Sequence, residues 1–291
     1  LSHEGARLKG YGNILTYLKE FTLYLTNFEK LLFPRLTKIE RVGFNIGDRQ
    51  VELELPIVKG NKLPEGIENL LQQAEKVGYP YNIDNIMVSR FKDGEGREII
   101  VRVIPGRAKR HKAMEVLEKT LGNTKIYNAT GGEIHDINDK CNLCYPNTKK
   151  REVGFGWRSS RGKLWVILPN LFRIFKRHLV IALFAHEEQT GTLEKDNLLD
   201  IIEILTASKG KIRTIGINTS KEAGASVNHL HYQATDEILP IVRKKRRLVE
   251  KDKNTGVYLL EGHYFDGYVV KGREEQEVVN KTIELAEQLR A

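Results

Sequence analysis

The apolar residues of this 291-residue chain come in short runs, and the longest unbroken one is Leu179–Ala185, LVIALFA. Such a run suits a buried strand and falls far short of the about 20 residues that a bilayer-spanning helix needs. Similar runs surround it: LWVIL at 164–168, then a turn at Pro169-Asn170, and later IRTIGIN at 212–218 and HLHYQAT at 229–235. Between them, the segment from Leu193 to Ser208 sets Leu198, Leu199, Ile202 and Leu205 on one helical face, with Thr192 placed as N-cap. Short strands around one amphipathic helix predict an α+β fold with a mostly antiparallel sheet and flanking helices.

Upstream, Leu15, Leu18, Phe21, Leu23, Leu25, Phe28, Leu31 and Leu32 recur at helical spacing until Pro34, which predicts an N-terminal helical segment over 1–36. Val51 to Val58 (VELELPIV) alternates like a half-buried strand; a helix follows at 66–76, then strands at 86–91 and 98–104. The basic run RAKRHK at 107–112 leads into a short helix ending near Leu121. We therefore divide the chain into the 1–36 segment, an α/β region at 37–125 and a domain at 126–291. IVKG at 57–60 and VVKG at 269–272 are each followed by Ala-Glu at the same spacing, so the 37–125 region is a candidate degenerate second half of the fold.

Length alone supplies enough residues for a proper core without a metal or disulfide. The 47 Lys and Arg against 38 Asp and Glu leave a net charge of +9, which suits an anionic partner: a nucleotide, a sugar phosphate or nucleic acid. Two Cys cannot form a secreted disulfide framework, and LSHEGARLKG has no apolar signal core, so a cytoplasmic protein off the membrane is the simplest expectation.

The chemistry concentrates in Asn218–Gln233, NTSKEAGASVNHLHYQ. If Val227 to Thr235 is a strand, His229, His231 and Gln233 share one side, with Leu230 and Tyr232 on the other. A solvated strand face with incidental histidines is the bland alternative, and three aligned nitrogen-bearing side chains make it the weaker one. Gly224, Ala225 and Ser226 ahead of the strand let backbone N–H groups come close to an anion.

The His-x-His-x-Gln pattern at 229–233 resembles the histidine-triad (HIT-like) superfamily, specifically the nucleotidyltransferase branch in which Gln replaces a third His. GASVNHLHYQA is similar to the active-site segment of GDP-hexose phosphorylases, and Asn218, Gly224 and Ser226 resemble the lead-in of galactose-1-phosphate uridylyltransferases. The likeness covers 141–236, about a third of the chain. It implies a HIT-like catalytic domain in which His231 attacks the α-phosphorus and Gln233 hydrogen-bonds the phosphoryl group. It also implies substrate contacts from Asn218, Gly224 and Ser226, from Asn170 to ribose or base, and from His178 near the phosphates.

By itself Cys141-Asn-Leu-Cys144 is ambiguous between a redox dithiol and half of a zinc site. The uridylyltransferase pattern implies that His186 and His229 complete a structural, tetrahedral zinc. His135 lies close enough in sequence to compete, while His3, His111 and His263 receive no role.

Gln cannot act as a general acid, and a sugar phosphate leaves without one, so a transferase or phosphorylase is favoured over a hydrolase. The expected reaction is phosphorolysis of an NDP-hexose to NDP and hexose 1-phosphate through a nucleotidyl-histidine, with phosphate or a sugar phosphate as acceptor. The alternatives are a uridylyltransferase, a dinucleoside polyphosphate phosphorylase or, from another class, a zinc-containing nucleic-acid-binding or adenylated-end-processing protein. The basic runs at 107–112, 149–151 and 243–247 lack the interleaved aromatics of a single-strand platform, which argues against nucleic acid. A homodimer would match the superfamily's habit.

Overall fold

The computed structural model describes residues 36–46, 49–76, 87–104, 141, 143–144, 154–170, 173–220, 223–262 and 267–290. The expected helices in 1–36 and near 121, the basic runs at 107–112 and 149–151, and His3, His111, His135 and His263 lie outside them. Among the described residues no helix is long and apolar enough to cross a membrane.

Seven strands form the main sheet: β1 (Thr37–Ile46), β2 (Arg49–Val58), β5 (Phe155–Arg158), β6 (Leu164–Pro169), β7 (His178–Leu183), β8 (Thr214–Gly216) and β9 (His231–Thr235). Their spatial order is β1-β2-β5-β6-β7-β9-β8. Every neighbouring pair is antiparallel except β2 with β5, which meet in parallel at Ile57 and Gly156. Gly156 is needed there, because a Cβ would stand 2.7 Å from Leu55 Cδ2. The architecture is α+β and mostly antiparallel, as the short apolar runs predict. A hairpin of β3 (Met87–Lys92) and β4 (Glu98–Val103) stands apart from that sheet, and β10 (Arg246–Lys251), β11 (Thr255–Leu260) and β12 (Tyr268–Gly272) make a third.

Helix α1 (Leu63–Lys76) buries Leu63, Ile67, Leu70, Leu71 and Ala74, one stripe at helical spacing. The stripe packs on Phe155, Trp157, Trp165, Ile167 and Ile181 of the sheet. Each fully buried side chain of this size contributes about 2 kcal/mol of transfer free energy, so α1 is held by its packing. β2 and α1 share the sheet and core of β5, β6, β7 and β9, because β5 pairs directly with β2. Both halves of the IVKG/VVKG echo are strand-then-helix units, β2–α1 and β12–α3 (α3, Glu275–Gln288), but they belong to different sheets.

Helix α2 (Lys195–Ala207) departs from the expected face. Glu194 occupies the N-cap position without a side-chain hydrogen bond, in place of Thr192, and the buried stripe is Asn197, Leu199, Asp200, Ile201 and Ile204. Leu198 and Leu205 pack at its border. The helix is turned because two polar residues have partners inside. Asp200 accepts from Trp165 Nε1–H at 2.8 Å and Arg161 Nε–H at 2.6 Å, while Asn197 Oδ1 accepts from Lys163 Nζ at 2.6 Å. Hydrogen bonds and an ion pair offset the desolvation cost of a buried carboxylate, which periodicity arguments leave uncompensated.

Candidate functional site around His229 and His231

In β7 and β9, Ala182 pairs with His231 and Val180 with Gln233. Paired residues share a face, so His231 and Gln233 stand on the side of Val180 and Ala182. That side also carries Leu55, Val166 and Leu168 and is covered by Cys141 and Cys144. The alternate residues Leu230, Tyr232 and Ala234 join the core under α1 and α2. The strand is shorter than expected and starts at His231, so His229 lies in the bend just ahead of it.

His229 is fully buried, and its Nε2–H donates to Leu183 O at 2.7 Å. This leaves Nδ1 as the lone-pair nitrogen, 3.3 Å from Cys141 Sγ and 3.7 Å from Cys144 Sγ. His186 Nδ1 lies 3.3 Å from Cys144 Sγ and 3.2 Å from His229 Nδ1. The four ligand atoms fall within 4.8 Å of one another, so this Cys2His2 group could hold one metal ion. Both thiols are free of disulfide, and the hydrogen bond with Cys144 favours a thiolate at Cys141.

His231 takes the opposite tautomer. Its Nδ1–H donates to His229 O at 2.7 Å, which leaves the lone pair on Nε2. Burial holds the imidazole below its usual pKa and so keeps it neutral. Gln233, half-buried two residues on, has no side-chain hydrogen-bond partner among the described residues.

The lead-in folds as a turn. Asn218 Nδ2–H donates to Gly224 O at 3.3 Å, and Gly224 adopts φ +93°, a conformation that suits only glycine well. Ala225 N–H and Ala223 N–H are spent on Ser220, and Ser226 is exposed. Asn170 and His178 come together elsewhere. His178 Nδ1 accepts from Ile174 N–H at 3.2 Å, and its Nε2 faces the Asn170 amide at 3.4 Å. His178 pairs with Thr235, four residues along the ladder from His231, about 13 Å at strand spacing. His178 thus stands on the same side of the sheet as His231, further along the ladder.

Sequence reasoning missed Gln189, which is 6% exposed. Its Oε1 accepts from His231 N–H at 3.1 Å, its Nε2–H donates to Asn218 O, and its own N–H donates to Asn228 Oδ1 at 3.1 Å. The only hint was its place three residues after His186. Of the basic runs, 243–247 leads into β10, where Arg247 pairs with Glu261 at 3.5 Å.

No family model matches the chain, and no curated protein matches it. Among solved structures it is similar to yeast Ap4A phosphorylase Apa2 in complex with AMP: 14% identity, 80% of this chain and 71% of that chain covered, TM-score 0.40. The same enzyme in complex with Ap4A gives 14% identity, coverage of 79% and 73%, and a TM-score of 0.43. A likeness of that size leaves function to the chemistry of the site.

Proposed function

We propose that this protein is a HIT-like nucleotidyltransferase working through a nucleotidyl-His231 intermediate. The observation that carries the reading is the tautomer lock: the His229 carbonyl holds the proton on Nδ1, so Nε2 presents its lone pair beside Gln233 on one face of the sheet. In the first step Nε2 attacks the α-phosphorus; the P–N bond forms as the bond to the bridging oxygen breaks, and the leaving fragment departs as a phosphate oxyanion. In the second step an acceptor phosphate oxygen attacks the same phosphorus, the P–O bond forms, and the P–N electrons return to Nε2. Gln233 donates its amide N–H to the phosphoryl oxygen and gives no proton to the leaving group, which suits phosphorolysis. The substrate is a nucleoside diphosphate sugar cleaved by phosphate; a dinucleoside polyphosphate would use the same steps with a nucleotide leaving fragment.

Zinc fits the Cys141, Cys144, His186 and His229 donors. A tetrahedral ion about 2.3 Å from sulfur and about 2.0–2.1 Å from nitrogen implies S···N edges of about 3.6 Å and an N···N edge of about 3.3 Å. Three of the four S···N separations are 3.3, 3.3 and 3.7 Å, the N···N separation is 3.2 Å, and all the ligand atoms lie within 4.8 Å of one another. Four protein ligands close the coordination shell, so the ion would be structural, tying the Cys segment to the residues before β9. The His229 Nε2–H···Leu183 O bond is the outer contact that orients such a ligand.

The test is covalent trapping. The protein is incubated with NDP-sugars and a dinucleoside tetraphosphate, each labelled at the α-phosphorus, and then denatured. Acid-labile, base-stable label on the wild type and none on His231→Ala is expected; absence of label from every nucleotide overturns the reading.

A further inference from the structure

Strands β8 and β9 pair over only three residues, Thr214 with Thr235, Ile215 with Ala234 and Gly216 with Gln233. Continued two residues further, this register would set Asn218 opposite His231, and their peptide groups would bond each other. They do not. The side-chain amide of Gln189 lies between them, with Oε1 accepting from His231 N–H at 3.1 Å and Nε2–H donating to Asn218 O. The same Nε2 faces His231 O at 3.5 Å. Gln189 thus takes the place of a peptide unit in the ladder, satisfying both strands while holding them apart.

The wedge is itself fixed. Gln189 N–H donates to Asn228 Oδ1 at 3.1 Å, and the neighbouring Glu187 O accepts from Leu230 N–H at 2.7 Å. Its segment begins at His186, one of the four grouped metal-ligand candidates, so the stretch that delivers the amide is anchored at both ends. The side chain is buried, and Gln is the residue that suits the place: it offers one acceptor and one donor on a planar amide, as a peptide does. Splaying β8 from β9 at this point lets the chain leave the sheet after Gly216, with Asn218 held by the wedge and in turn donating to Gly224 O.

The geometry points to Gln189 as a positioning residue that inserts between β8 and β9 as a peptide surrogate, setting the His231 backbone with its acceptor end and Asn218 with its donor end. The two ends have separable jobs. Gln189→Glu keeps the acceptor for His231 N–H but turns an anionic oxygen toward Asn218 O and, at the longer distance, toward His231 O, so it unseats Asn218 first. Gln189→Met has neither end and loosens both.

The inference rests on the nucleotidyl-His231 reading for its kinetic consequence, and not for its structural one. In labelling kinetics with the α-labelled nucleotide that labels the wild type, Gln189→Glu is expected to raise the KM about 10-fold or more, with the saturating rate within about 3-fold of wild type. Gln189→Met is expected to lower the saturating rate about 10- to 100-fold as well. Circular dichroism and metal content are read on both variants to confirm the fold. Two variants that match the wild type, or two that lose activity alike, overturn the inference. Hydrogen exchange on the wild-type protein tests the wedge without any variant or substrate: the His231 amide, beyond the end of β8, should be as protected as that of Gln233. Fast exchange there overturns the wedge. A wild type that takes no label overturns the proposed reaction and leaves the exchange result to decide the wedge.

Discussion

The two faces of the seven-stranded sheet are stabilised in different ways. The face under α1 and α2 is a continuous apolar layer, with Trp165, Ile167, Ile181 and Tyr232 buried and Tyr232 edge-on to Trp165 at 5.9 Å. Asp200, a fully buried carboxylate there, is satisfied. The opposite face has a thinner layer of Leu55, Val166, Leu168, Val180 and Ala182, covered by two cysteines that meet two histidines. There, hydrogen bonds fix tautomers and a ligand cluster replaces area. One strand, β9, serves both, sending Tyr232 and Ala234 to one side and His231 and Gln233 to the other. A thick apolar core on one side thus accompanies a side whose buried groups are polar and held by hydrogen bonds.

If that division holds, each face should fail in its own way. The largest effect is expected from His231→Ala, which should reduce covalent labelling at least about 1000-fold while the thermal midpoint moves only a few degrees. Labelling and calorimetry on one preparation check both. Trp165→Ala should reverse the pattern, costing about 3–5 kcal/mol in urea unfolding, with metal content per folded chain unchanged. Cys144→Ser should lower bound zinc well below one equivalent by metal analysis, and a chelator should then depress the thermal midpoint of the wild type but not of the variant.

The smallest effect concerns Glu68 on α1, whose carboxylate accepts from Arg177 and, at 2.9 Å, from Lys211. The Arg177 hydrogen bond, followed by that of Lys211, holds its pKa down from 4.5 to about 2. A lowered carboxylate pKa stabilises the fold above the unfolded value, and that contribution is lost as pH falls through this window. Glu68→Gln should therefore cost about 1 kcal/mol at pH 7. The difference from wild type should hold down to about pH 5 and shrink below it, as urea midpoints at several pH values would show.

The sequence by itself determined what depends on neighbours along the chain. Alternation in HLHYQ put His231 and Gln233 on one face because side chains in a strand reverse at every residue. Short apolar runs called for strands, and the spacing around Ile67 and Leu70 for a helix. Tertiary structure decided what depends on partners distant in sequence. The stripe of α2 turned toward Asp200 because Trp165 and Arg161 satisfy a carboxylate that hydropathy counts as exposed. Residues 37–76 joined the main sheet through a single parallel bridge at Gly156. Gln189 left little trace in the sequence beyond its place three residues after His186, because its partners at His231 and Asn218 are peptide groups. Every residue carries such groups, so only the fold selects which two of them the amide will join.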